Sequence, residues 1–222
     1  MKFRASPYID FDTGTVVTTP MELPRTPRTP RLLDEMLALF ECRVDVWQFG
    51  PAVQILKQIE THPTSSVWAH TAYALMAIIF TYFEMIGKTL NPTSRSSGTA
   101  NVDFNYEFRE VYPAFALANG DRTDAALPDV REFRNRVRNG LCHLGYTKGN
   151  LFIHNAPDHF KDDFFVDRSA PEPKYLVNPH QVTRTVVAHY PSFMRRLRDP
   201  DEQFEGLRVR FRRYFEEFHG LR

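Results

Sequence analysis

The first regular pattern in this chain is helical. Leu32, Leu33, Met36, Leu37 and Phe40 recur at three- and four-residue spacing, an apolar stripe on one side of a helix. Gly50-Pro51 interrupts the stripe, and Pro51 suits the first turn of a second helix through Ile55, Leu56 and Ile59. His62-Pro63 closes that helix, and Thr64, Ser65 and Ser66 are good N-cap residues for a third, predicted over 67–90. Apolar residues surround the axis of this third helix instead of forming one stripe, the pattern of a helix at the centre of a bundle. A loop rich in Ser, Thr, Asn and Gly is expected over 91–101, and a shorter helix over 104–118 ended by Asn119-Gly120-Asp121. A further helix is predicted over 127–144.

The texture then changes. Leu151-Phe152-Ile153, Phe164-Phe165-Val166 and Tyr175-Leu176-Val177 are short β-favouring runs separated by Pro, Asp and Gly, so 150–178 reads as a small strand insertion. Two helices close the chain, over 181–198 and 201–219. Residues 1–31 read as an irregular arm. Within it, proline at every third position from Pro24 to Pro30 favours an extended conformation and prevents a helix. The expected fold class is mainly α, a helical bundle over 32–222 with the small β insertion.

Composition narrows the function classes. Of 222 residues, 42% are hydrophobic and 25% charged, the balance of a globular protein, and a net charge of +1 exerts no bulk pull toward nucleic acid or membrane. Two distant cysteines, Cys42 and Cys142, build neither a disulfide framework nor a thiolate zinc site, and they favour a reducing, cytoplasmic compartment. The start of the chain does not read as a secretion signal. Ala72 to Phe83 is almost wholly apolar, about half the length of a span, and bracketed by His70, Glu84 and Lys88. A bundle core is therefore expected there, not a membrane segment. The arginines at 208, 210, 212 and 213 read as a solvated helix face balanced by Glu216 and Glu217, with a nucleic-acid patch as the other reading. His143, His154, His159, His180 and His189 match no familiar ligand spacing, and no phosphate-binding glycine loop or serine-nucleophile elbow occurs. No cofactor or metal is expected.

Candidate chemistry concentrates on the helix over 127–144. On a helical projection, Leu127, Val130, Phe133, Val137, Leu141 and Leu144 share one side, and Glu132, Arg136, Asn139 and His143 cluster opposite. Asn139 and His143, four apart, are direct neighbours. Arg138 lies about 140° from His143 on an ideal helix, so its long stem or a helix loosened at Gly140 would bring the two together. Imidazole titrates near neutrality and can take a proton from a ribose 2′-hydroxyl or give one to a leaving oxygen. A guanidinium matches phosphate oxygens and stabilises transition-state charge, and an amide can hold a hydroxyl in place. The plain alternative is an Arg and a His that favour a helix C-terminal dipole and bond its last carbonyls. Glu84 interrupts an apolar run; it reads either as an i, i+4 ion pair with Lys88 or as an acid lining the same cleft and tuning His143.

Arg138-Asn139-Gly140-Leu141-Cys142-His143 resembles the signature of the HEPN superfamily: an arginine, a polar residue and a histidine after a gap of four to six. Arg136 also fits the spacing, less well. The likeness covers about 67–198, with the helix over 67–90 as the family's long central element and the strand insertion as a departure. The resemblance implies a metal-independent ribonuclease of toxin–antitoxin, phage-defence or RNA-processing type, with Arg138, Asn139 and His143 catalytic and Arg136 and Glu84 supporting. It implies a homodimer whose motif helices meet, RNA as substrate, and a protein partner such as an antitoxin. The family also includes non-catalytic modules that bind a protein or a nucleotide, the alternative here, although retention of both Arg and His favours the active class.

Overall fold

A computed structural model describes residues 8–10, 15–17, 32–62, 66–91, 100–113, 133–134, 136, 149–153, 162–167, 169 and 174–218. The architecture is mainly helical with a three-stranded sheet inserted before the last two helices. Strands β1 (Tyr8–Asp10) and β2 (Thr15–Val17) form an antiparallel pair within the segment expected to be irregular. Those runs are too short for a periodicity reading, and their pairing is what makes them strands. The proline-spaced stretch over 24–31 lies outside the described residues.

Helix α1 (Leu33–Arg43) is followed directly by a π-helical segment, Val44–Phe49, and by α2 (Gly50–Thr61). The expected interruption at Gly50-Pro51 is therefore a change of helical pitch, not a break. Pro51 has no amide hydrogen, and its ring would meet the carbonyl four residues back in a regular helix. The chain relieves this by widening one turn: Gly50 N–H donates to the carbonyl of Asp45, five residues back. A Cβ at position 50 would stand 2.7 Å from that same oxygen, so only glycine fits the join.

Helix α3 (Ser66–Leu90) is the centre of the assembly. Ala72, Leu75, Met76, Ile79, Phe80, Phe83 and Ile86 are fully buried, as expected of a helix apolar around its axis. Its stretch Thr71–Leu90 is long and apolar enough to cross a membrane by length and composition, a test that a core helix also passes. Helix α4 (Ala100–Val111) starts four residues earlier than its apolar pattern suggested. The early start places Asp103 in the first turn, where Asn91 Nδ2 donates to it at 2.7 Å and Lys88 Nζ lies 3.5 Å away. A fully buried carboxylate is thereby satisfied, and it lies just before the start expected for this helix.

The contact between α3 and α4 is very close because Gly87 has no side chain: a Cβ there would lie 1.7 Å from the carbonyl oxygen of Asp103. That approach lets Phe80 and Phe83 meet Phe104 and Phe108 at centroid distances of 5.4–6.0 Å for Phe80–Phe104 and Phe83–Phe104 and 5.2 Å for Phe83–Phe108. Each such pair adds roughly 0.5–1.5 kcal/mol beyond burial.

The insertion forms where its short apolar runs predicted. Strands β3 (Leu151–Ile153), β4 (Phe164–Asp167) and β5 (Lys174–Val177) order as β3-β5-β4, with β3 parallel and β4 antiparallel to β5. Phe164 packs on Phe108 and Tyr112, and Tyr112 Oη donates to Asp163 at 2.7 Å, which ties the sheet to α4. Asn178 then caps α5 (Pro179–Arg198), its side chain accepting from His180 N and Gln181 N, with Pro179 in the first turn. Asp201 opens a short 3₁₀ turn before α6 (Glu205–Phe218). Arg208 wraps that turn by donating to the carbonyls of Asp199, Pro200 and Asp201, while Arg210 Nε donates to Thr89 O at 2.8 Å. Part of the arginine cluster is thus structural, and Arg212 remains exposed.

Candidate functional site

The segment predicted to carry the chemistry is described at Phe133, Arg134 and Arg136, all helical. Arg138, Asn139 and His143 lie outside the described residues. What the structure gives is the root of that segment. Phe133, on the predicted apolar side, is fully buried, with its ring 5.8 Å from Phe80, 5.1 Å from Phe108 and 5.1 Å from Phe164. It therefore joins α3, α4 and the inserted sheet at one point.

Arg134 comes next and is also buried. Its Nη2 donates to Glu84 Oε1 at 2.9 Å, and its guanidinium lies 5.7 Å from the centre of the Phe104 ring. Two features lower the cost of burying this charge: a carboxylate at hydrogen-bond distance and an aromatic face. Glu84 is thus engaged with the helix of the motif, while Lys88, the partner expected for it four residues on, is drawn to Asp103. Sequence reasoning passed over Arg134. The signal that could have found it was Glu84 itself, a carboxylate within an apolar run that needs a cation from somewhere. Local spacing offered Lys88 first.

Arg136, on the predicted polar side, is half-buried and Nη1 donates to Asn150 Oδ1. Asn150 follows Gly149, whose φ of +68° is a left-handed turn that favours glycine. A Cβ at Gly149 would come within 3.2 Å of Arg136 Nη1, so the turn and the arginine are fitted to each other. Glu84, Arg134 and Arg136 are therefore brought to the base of the motif segment by three elements: α3, the segment itself and the turn leading into β3.

A second polar constellation, absent from the sequence reading, sits between α3, α4 and α5. His189 Nδ1 is 3.1 Å from Tyr82 Oη and 3.3 Å from Glu107 Oε1, and its Nε2 is 3.8 Å from Glu110 Oε1. Arg196 is ion-paired with Glu110. Burial, and then the nearby Glu110 charge, hold the Glu107 carboxyl well above the ordinary carboxylate range. Burial likewise raises the Tyr82 phenol, with Glu107 adding to it. Glu110 is lowered: the bonds to His189 and Arg196 outweigh its own desolvation. Two carboxyls one helical turn apart are thus driven in opposite directions, one toward the neutral acid and one toward the anion. Sequence could not show this, since Glu107, Glu110 and His189 each look like ordinary surface residues of amphipathic helices.

Comparison with known proteins finds no match to any family model, characterised protein or solved structure.

Proposed function

We propose that this chain is a metal-independent endoribonuclease of the HEPN type, acting in the cytoplasm as a homodimer in a toxin–antitoxin or defence setting. The reading rests on the six residues Arg138 to His143. One structural observation supports it most: the helix leading into them is rooted against the central helix by Phe133 and by the Arg134–Glu84 pair. A catalytic row needs such a rigid base, because misplacing reacting groups by about 1 Å costs about a hundredfold in rate.

In this mechanism the substrate's 2′-oxygen attacks the adjacent phosphorus and the 5′-oxygen leaves, giving a 2′,3′-cyclic phosphate. His143 takes the 2′-hydroxyl proton or returns one to the leaving oxygen. Arg138 binds the phosphate oxygens as charge builds, and Asn139 orients the hydroxyl. Arg136 is a positioning residue held by Asn150, and Glu84, paired with Arg134, is a supporting acid. The test is cleavage of labelled RNA by wild type and His143→Ala, with chelator in both. His143→Ala should lower the rate by about 10²- to 10⁴-fold. Loss of wild-type activity in chelator, or cutting of substrate with a 2′-deoxyribose at the cleavage site, would refute the mechanism.

One observation favours a second reading, a non-catalytic module that binds a protein partner or a nucleotide. Arg136 and Glu84, two of the five residues proposed for the site, are engaged in intramolecular contacts. Under that reading the wild-type dimer cleaves no RNA, and His143→Ala and Arg138→Ala weaken partner binding instead.

A further inference from the structure

Beside the widened turn at Val44–Phe49 lies a pocket of about 170 Å³, enclosed by α1, the π segment, α3 and α6. Its walls are almost wholly apolar and largely aromatic, with Phe40, Trp47, Met85 and Phe215 among them. Trp47 and Gln48 come from the π segment itself, and Trp47 is 53% exposed, so it stands where the pocket meets solvent. A π-helical turn inside an otherwise regular helix costs hydrogen-bond geometry, and such turns concentrate at functional sites.

Gln48 brings an open hydrogen-bonding position to this wall. Its Nε2 donates to Thr81 Oγ1 at 3.3 Å, and Thr81 Oγ1 donates in turn to Ile78 O at 2.7 Å. The hydroxyl has one proton, already given to Ile78, so it can only accept from Gln48, and this decides which end of the amide faces it. The other end, Gln48 Oε1, is buried with no donor among the described residues. A buried acceptor without a donor is costly, and that cost is recovered when a donor reaches it. The bond to Thr81 is longer than the usual N–H···O range, so a slight turn of the amide carries Oε1 toward a group in the pocket. The other polar side chains of the lining do not call for an ion. Arg43 and Tyr214 each have an interaction of their own. Burial lowers the Arg43 guanidinium to about 10 and raises the Tyr214 phenol to about 12. Both shifts mark a poorly solvated place, where a charged ligand gives up hydration that apolar walls do not replace.

We infer that this pocket binds a small neutral phenol or aromatic alcohol, its ring among Phe40, Trp47 and Phe215 and its hydroxyl donating to Gln48 Oε1. Size sets the ring count: apolar cavities of about 150 Å³ take up a single benzene. The open acceptor sets the head group, a single O–H, and the apolar lining sets its neutrality. Ligand sites have this make-up, apolar walls with a few placed polar groups. The site is separate from the motif segment, so its occupancy does not depend on RNA cleavage.

The experiment uses the full chain at pH 7 and three one-ring probes: phenol, fluorobenzene and benzoate. Fluorobenzene matches phenol in shape but has no donor, and benzoate is an anion. Binding is followed by ligand-observed NMR and by the emission of Trp47 in a Trp68→Phe background, which reports on this pocket. Phenol should saturate with a Kd of order 100–1,000 µM, within reach of so small a ligand. Fluorobenzene should bind about tenfold more weakly, the worth of one neutral hydrogen bond, and benzoate more weakly still. Gln48→Met keeps the length of the side chain and removes the acceptor. It should weaken phenol about tenfold and leave fluorobenzene within about twofold of wild type. Met85→Trp, which fills the pocket from α3, should abolish phenol binding and serves if Gln48→Met does not fold; circular dichroism checks the fold of both. Fluorobenzene binding as tightly as phenol would overturn the inference, as would benzoate binding more tightly than phenol or absence of saturation by phenol at 10 mM. So would phenol binding that is unchanged in Gln48→Met or that survives Met85→Trp. The same titration on His143→Ala should match wild type, whatever the RNA assay gives.

Discussion

Replacing Gly87 with alanine sets two effects of opposite sign against each other. Inside a helix, alanine is favoured over glycine by roughly 0.5–1 kcal/mol, so the change ought to stabilise α3 taken alone. In the bundle the new Cβ would stand 1.7 Å from the carbonyl oxygen of Asp103 and 2.4 Å from its carbon, where real Cβ atoms essentially never come within 3.0 Å. The obstacle is backbone, so no rotamer relieves it, and α3 and α4 must part locally by more than 1 Å. A gap of about 0.5–1 Å already forfeits a quarter to a half of the dispersion energy at a contact. The contacts at risk are Phe80 and Phe83 on Phe104 and Phe108, together with Lys88 and Asn91 on Asp103. Overpacking costs about 1–3 kcal/mol and sometimes more, so the clash wins, with a net loss of about 1–2 kcal/mol. At about 2–4 °C per kcal/mol for a chain of this size, Tm should fall by roughly 2–8 °C. Urea unfolding followed by circular dichroism gives the free energy directly. Gly206→Ala is the control. It lies exposed in α6, where a Cβ would meet only the flexible end of Arg210 at 3.2 Å, so it should be neutral or slightly stabilising. A Gly87→Ala protein with unchanged or raised Tm would show that α3 and α4 do not approach as described.

Glu107→Gln should flatten the pH dependence of stability. Burial raises the Glu107 pKa, so its contribution is complete below the unfolded pKa and is lost as pH rises through the folded one; Gln keeps the neutral form throughout. Melting curves from pH 5 to pH 9 should therefore show the variant gaining on wild type as pH rises, and a constant difference would count against the buried acid. Gly149→Ala should cost about 1–2 kcal/mol because φ of +68° strains any side chain there, and glycine alone should restore Tm. Glu84→Gln and Arg134→Met should each cost about 3–5 kcal/mol, the usual loss when one partner of a buried pair is removed. The double variant should lose much less than the sum, and strict additivity in chemical unfolding would mean that the two do not interact.

Much of this architecture was legible in the chain itself. Apolar spacing located α1, α2, α3 and the last two helices within a few residues, and three short β-favouring runs foretold the three inserted strands, because burial of one face is written directly into local order. The candidate chemistry was legible as a motif, Arg138 to His143, since it is local too. What local order could not decide was partnership. Glu84 had a cation four residues away, yet Asp103 takes Lys88 and Arg134 comes to Glu84 across 50 residues of sequence. Glu107, Glu110 and His189 carry no local signal of a shared site; α3, α4 and α5 close around them, burial raises the Glu107 carboxyl, and bonds to His189 and Arg196 lower that of Glu110. Gly50-Pro51 announced a disruption, but whether the chain would break or widen was settled by the packing of α1 and α2 as one run over the core. Sequence by itself determined which segments are helical and which faces are apolar, because these depend on neighbours along the chain. The tertiary structure alone decided which charges meet and what space is left between helices, because those depend on neighbours across it.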